Sequence, residues 1–216
     1  MRKKGLMVLL AVCIIAQLLT GGSRVKAAEA GVSEQWKQEH SGYEPMYGVL
    51  VEAEDEETGE LPPVYMSAQE ESFWKNLGSD YYYNKLSNAQ QEVWNRLEAQ
   101  CLLVLEGTDN VTSVSADCAD LGLTVEDAKD IVSIFKLSNP QYYFLGSKYG
   151  WAEKVDGNAA KVYSYIYDDM CDGNARQIAT EAFRAKITEW IAQVGTGQRT
   201  EDKERIAHDL IANNTT

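Results

Sequence analysis

The chain has 216 residues and is strongly acidic, with a formal net charge of −13 at pH 7. This charge argues against binding nucleic acid or an anionic membrane surface through bulk electrostatics, because both are themselves densely negative. It favours solubility and contact with basic or neutral partners.

The N-terminus has the order of a secretory signal peptide. Residues 1–4 are basic, residues 5–19 are apolar, and small residues lead up to Ala27. Val25 and Ala27 fit the −3 and −1 positions, so we expect cleavage after Ala27, with Ala30 as the second choice. The apolar run is short for a membrane span, which favours cleavage over a retained anchor. The sequence therefore predicts a secreted or cell-surface protein that touches the membrane only before cleavage.

Residues 28–66 are predicted to be a disordered acidic tether. Six acids fall between Glu52 and Glu60 with no base among them, and Pro62-Pro63 closes the run. Runs of like charge repel one another and usually stay solvated.

Amphipathic helices dominate residues 67–195. Ser87 and Gln90 form a capping box before an apolar stripe of helical spacing, and Thr124 caps a second helix that ends before Pro140. A further helix begins at Asp172 or Asn174 and runs to about Val194. A separate terminal helix is expected in 198–216.

A β-hairpin is predicted over residues 142–167. Asp156-Gly157-Asn158 has turn chemistry, and the residues after it alternate between two rows. The fold class is therefore α+β, mainly helical, with four to five helices packed with one tyrosine-rich antiparallel hairpin. One row of the hairpin should pack on the helices, and the other should lie outside unless a further domain covers it. Aromatic residues of the hairpin are therefore candidates for binding a carbohydrate or a peptide: Tyr163, Tyr165, Tyr167 and Trp151.

Catalytic candidates are few. A Cys–His enzyme needs a thiolate beside an imidazole, and Cys171 with His208 is the best pair that the sequence offers. Cys101 falls on an apolar helical stripe, and Cys118 lies among acids that would raise the pKa of its thiol.

No metal or cofactor is expected. The acids near Cys171 do not follow a calcium loop, because Met170 occupies an oxygen-ligand position and Ala179 stands where the closing acid belongs. Cys101, Cys118 and Cys171 lack the spacing of a zinc site, and three cysteines leave one disulfide open as an alternative.

Five motifs, taken in order, carry a family resemblance. They are Tyr81-Tyr82-Tyr83-Asn84-Lys85-Leu86-Ser87, Val93-Trp94-Asn95-Arg96-Leu97, Leu123-Thr124-Val125-Glu126-Asp127, Ser138-Asn139-Pro140-Gln141-Tyr142-Tyr143-Phe144-Leu145, and the final segment 205–216. Together they resemble the N-terminal helical region of exported transglutaminase-like proteins of Gram-positive gut bacteria.

The resemblance implies a non-catalytic accessory module in front of a papain-like Cys-His-Asp core. In that family the last helix opens the core, and the catalytic residues follow it, so the enzyme half is expected to be absent through truncation or a split gene. Cys171-Asp172-Gly173-Asn174-Ala175 is similar to the family's C-x-G-Y-A setting, but it lies upstream of that helix and has Asn174 in place of the aromatic residue. The resemblance therefore assigns no catalytic residue here. The expected partners are a transglutaminase-like domain or a cell-wall polymer.

Overall fold

The computed structural model describes residues 46–51, 66–197 and 199–214. The predicted signal peptide and most of the predicted tether lie outside these ranges. The described elements are, in order, β1 (Tyr47–Leu50), α1 (Ala68–Lys75), α2 (Asp80–Tyr83), α3 (Asn88–Glu106), β2 (Ser113–Asp117), α4 (Val125–Ser138), β3 (Leu145–Glu153), β4 (Ala159–Ile166), a 3₁₀ turn (Asp168–Met170), α5 (Gly173–Gly195) and α6 (Thr200–Asn214). The predicted class, α+β and mainly helical, is confirmed.

The strands form one mixed sheet in the order β1-β3-β4-β2. β3 and β4 are the antiparallel hairpin that the sequence predicts, and its turn contains Gly157 at φ 81°. β3 begins at Leu145 rather than Tyr142, because the preceding residues form a turn in which the Leu145 amide donates to the Tyr142 carbonyl at 3.0 Å.

Two further strands flank the hairpin. β2 pairs antiparallel with β4. β1 pairs parallel with β3, so the prediction of a disordered tether is wrong for Tyr47–Leu50. The error has a physical origin, since this short strand gains its order from a partner about one hundred residues away. Gly48 permits the approach, because a Cβ there would lie 2.7 Å from the Tyr149 ring.

The main core lies between the sheet and the helices α3 and α4. Val114, Val162 and Ile166 pack there with the buried faces of the two helices. The capping box of Ser87 and Gln90 and the cap at Thr124 are both formed as predicted. These caps fix where the two covering helices begin.

α5 packs against α3, and α6 packs against the far end of α5. Asp172, the first of the two predicted starts, caps α5 by accepting from the Ala175 amide at 2.8 Å. Trp190, Val194 and Ala207 form a second, small cluster that holds α6. None of the helices in the described ranges is both long and apolar enough to span a membrane.

Candidate functional site

Strand register divides the sheet into two faces. Tyr149, Trp151 and Val162 belong to the face covered by α3 and α4, because they share register positions with the core residues of β4 and β2. The opposite face, here called the outer sheet face, carries Tyr47, Val49, Lys148, Lys161, Tyr163 and Tyr165. Side chains on a strand alternate between faces, so this assignment follows directly from the pairing.

One row of the outer sheet face crosses four strands. Tyr47 pairs with Lys148, and Tyr165 pairs with Ser113. The Lys148 ammonium lies 3.9 Å from the centre of the Tyr165 ring, within the range of a cation–π contact. The Tyr47 ring is 54 % exposed, the most open aromatic side chain in the row.

The next row is more tightly packed. Gly150 lies between Val49 and Tyr163, and a Cβ at Gly150 would come within 2.8 Å of Val51. Tyr163 is only 5 % exposed, although it lies outside the main core cluster. The Lys161 ammonium lies 5.3 Å from its ring centre. The more open side chains of this face are therefore those of Tyr47, Lys148 and the half-buried Tyr165.

The structure does not bring the four predicted aromatic residues together. Tyr163 and Tyr165 share the outer sheet face, and Tyr167 continues their alternation just beyond the end of β4. Trp151 belongs to the opposite face, where its Nε1 donates to Glu153 at 2.9 Å and Lys129 lies 4.0 Å over its ring. The alternation along β4 was readable in the sequence, but the register of β3 was not.

Two residues of the site were not predicted as site residues. Tyr47 falls in the segment expected to be a tether, although Tyr47 and Val49 are of residue types enriched in strands. Lys148 directly precedes Tyr149 in β3, where polar and aromatic residues alternate. This alternation was the sequence signal that could have placed Lys148 on the face opposite Tyr149.

Cys171 lies directly after the 3₁₀ turn and before the start of α5. Its Sγ lies 3.5 Å from the Tyr167 carbonyl oxygen, to which the thiol donates. Burial and the nearby Asp168 raise the pKa of this thiol, so the helix N-terminus does not make it a thiolate. Burial also raises the pKa of the Cys118 thiol to about 12, and it raises the pKa of the Cys101 thiol well above its usual range. All three described cysteines are free.

His208 lies far from Cys171. Its side chain is 80 % exposed, with Nδ1 3.5 Å from the Asp209 carboxylate. His208 follows Ala207, and Ala207 packs on Trp190 of α5. Trp190 lies almost five helical turns beyond Gly173, where α5 begins next to Cys171. That separation is about 25 Å along the helix axis at 1.5 Å per residue, far beyond the roughly 3 Å needed for proton transfer.

The motifs of the family resemblance occupy mainly structural positions. In Ser138–Leu145 the side chains of Asn139, Gln141, Tyr142 and Phe144 are buried. Tyr83 packs edge-on against Trp94, with ring centres 5.6 Å apart. These motifs therefore describe how α2, α3 and α4 pack.

Comparison with known protein families, with curated proteins and with solved structures finds no match to this chain. Within the described ranges, no group of three or more His, Cys, Asp and Glu side chains is arranged to hold a metal ion.

Proposed function

We propose that this chain is an exported, non-catalytic interaction module that binds cell-wall carbohydrate through its outer sheet face. The observation that carries the proposal is the row Tyr47, Lys148 and Tyr165 on three adjacent strands. Export rests on the signal-peptide pattern of residues 1–27.

The chemistry of the row suits a sugar polymer. Tyr47 and Tyr165 are two strands apart, about 9.5 Å at the usual strand spacing, which allows contact with separate units of one chain. A tyrosine ring offers a flat apolar surface and a hydroxyl, while Lys148 supplies hydrogen-bond donors between the two rings. Exposed aromatic patches commonly mark contact surfaces.

The test is cosedimentation of the full chain with purified Gram-positive cell wall. We expect Tyr47→Ala to weaken binding about fivefold, because one aromatic contact is worth roughly 1 kcal/mol. Tyr82→Ala is the matched control, since Tyr82 is 45 % exposed but belongs to α2. Equal binding by wild type and Tyr47→Ala, or equal weakening by both variants, would contradict the proposal.

The sequence motifs alone support a further part of the proposal, that the module accompanies a transglutaminase-like core. The nucleotide sequence directly downstream of the codon for Thr216 tests this part. A reading frame with Cys, His and Asp in that order would support it, and an unrelated frame would remove it.

A further inference from the structure

One lysine of the outer sheet face lacks the acidic partner that other lysines of the chain have. Four described lysines have an acid within 3.5 Å of the ammonium group: Lys75, Lys129, Lys154 and Lys186. Among the described residues, no carboxylate forms an ion pair with Lys148. Its ammonium lies instead 3.9 Å from the centre of the Tyr165 ring. The positive charge of Lys148 is therefore available to an anionic ligand.

The neighbours of Lys148 on this face carry no charge. Tyr47 and Tyr165 lie beside it on the adjacent strands. The next row of the face contains neither an acid nor a base. An acid first occurs in the third row, where Asp117 pairs with Lys161. The two lysines of the face therefore differ, since Lys161 shares its row with a carboxylate and Lys148 does not.

Local charge, rather than the net charge of the chain, decides what this face can hold. Exposed charges more than about 8 Å apart are largely screened from each other at physiological ionic strength. The net charge of −13 therefore weakens the approach of a polyanion but does not cancel a direct contact at Lys148. A lysine that has no acidic partner and lies among aromatic rings favours a ligand that combines sugar rings with negative charge.

The order of side chains in the row indicates where the charge of such a ligand lies. Tyr47 is 54 % exposed and is one strand from Lys148, about 4.8 Å at the usual strand spacing. A sugar ring on Tyr47 would therefore place its linkage to the next sugar over Lys148. Phosphodiesters carry their charge in that linkage, whereas uronic acids carry it on the ring. The compact ammonium of a lysine also suits a phosphate oxygen, while the planar fork of an arginine matches a carboxylate.

We propose that the outer sheet face recognises a wall polymer of sugars joined by phosphodiesters. This inference rests on the proposed function, because it names the polymer that the same face binds. The Lys148 ammonium would donate hydrogen bonds to the phosphate oxygens, and Tyr47 would stack on the neighbouring sugar. Tyr165 would hold the ammonium in place through the cation–π contact.

The test is cosedimentation of the full chain with Gram-positive wall that carries a polymer of sugars joined by phosphodiesters. Treating the same wall with aqueous hydrofluoric acid cleaves the phosphodiesters and leaves the peptidoglycan, which gives a stripped wall. We expect binding to the stripped wall to be at least about tenfold weaker, the scale of lost charge-assisted hydrogen bonds. A third wall, whose anionic polymer contains uronic acids instead of phosphate, should bind as weakly as the stripped wall.

Variants of Lys148 locate the contact. Lys148→Gln should weaken binding to the intact wall about tenfold and leave binding to the stripped wall unchanged, because it removes the charged donor to phosphate. Lys148→Arg should stay within about threefold of wild type, since it retains the charge. Lys186→Gln is the matched control: it also removes one positive charge, but from α5, where Lys186 is 44 % exposed and pairs with Glu189. It should leave binding unchanged.

The outcomes separate this inference from the proposed function. Equal binding of wild type to the intact and stripped walls would overturn the phosphodiester inference and leave the proposed function standing. Absence of binding to both walls would contradict the two together. Comparable binding to the uronic acid wall, or equal losses for Lys148→Gln and Lys186→Gln, would also overturn the inference. The comparison of walls uses the wild-type chain, so it does not depend on the folding of any variant.

Discussion

At the scale of single residues, Arg176 is the most unusual side chain in the core. It is 0 % exposed, and burial lowers the pKa of its guanidinium. The guanidinium donates to five backbone carbonyls: Val104, Gly107, Asp109, Met170 and Cys171. Two of these belong to the C-terminus of α3, where carbonyls lack helical partners and a positive charge is favoured. Arg176 therefore joins the end of α3 to the start of α5.

Replacing Arg176 should be costly. We expect Arg176→Met to lower the free energy of unfolding by at least about 3 kcal/mol, because several buried carbonyls would lose a charged donor. Urea denaturation measures this loss. Arg184→Met is the control, since Arg184 is 44 % exposed and pairs with Glu70, and it should cost less than about 1 kcal/mol. Similar losses for both variants would contradict the role assigned to Arg176.

Glu98 should make stability depend on pH. Burial raises the pKa of this carboxyl, an effect that Lys75 opposes and that Asp80 and Glu71 strengthen. The folded state therefore favours the protonated form, and its stabilisation is lost as pH rises through the folded pKa. We expect the advantage of Glu98→Gln over wild type in free energy of unfolding to grow as pH rises from about 4, near the ordinary pKa of a Glu carboxyl, through the raised pKa of the folded state. An advantage that does not change with pH would show that Glu98 ionises without penalty.

At the scale of elements, α5 begins where the backbone leaves no room for a side chain. A Cβ on Gly173 would lie 1.9 Å from the Thr108 carbonyl oxygen. The Gly173 amide donates to the Asn110 side chain at 3.0 Å, which holds the start of the helix in place. The first turn of α5 is thus packed directly on the loop after α3.

Two glycines of the same helix should respond oppositely to alanine. Gly173→Ala should destabilise the fold by several kcal/mol, since the clash is with backbone rather than a flexible side chain. Gly195→Ala, with nothing within 4 Å of its added Cβ, should be neutral or stabilising by up to about 1 kcal/mol. Thermal unfolding followed by circular dichroism measures both. A stable Gly173→Ala variant would contradict the close approach of α5 to Thr108.

Local signals account for the elements that the sequence predicts. Ser87 with Gln90, Thr124, and Asp156-Gly157-Asn158 each act within a few residues, so the helices and the hairpin were readable. β1 and the outer row depend on pairing between Tyr47 and Lys148, which lie far apart in the chain. The sequence could not predict the register between strands or the contacts between residues far apart in the chain, such as the pairing of β1 with β3.

At the scale of the whole molecule, the two faces of the sheet differ in what covers them among the described residues. α3 and α4 cover one face and bury the motif residues of Ser138–Leu145, while the opposite face carries tyrosines and lysines. The chain as a whole has a formal net charge of −13, whereas this face carries the two lysines Lys148 and Lys161. We infer that the helical body positions the sheet and that the outer sheet face makes the contact.

Hydrogen–deuterium exchange of the full chain, with and without soluble cell-wall fragments, tests this claim most directly. We predict slower exchange in 46–51 and 161–167 on binding, because a ligand on the outer sheet face covers β1 and β4. Peptides from α2 serve as the internal reference and should not change. Unchanged exchange in β1 and β4 under conditions where the fragments bind, or protection confined to α2 and α3, would contradict the account.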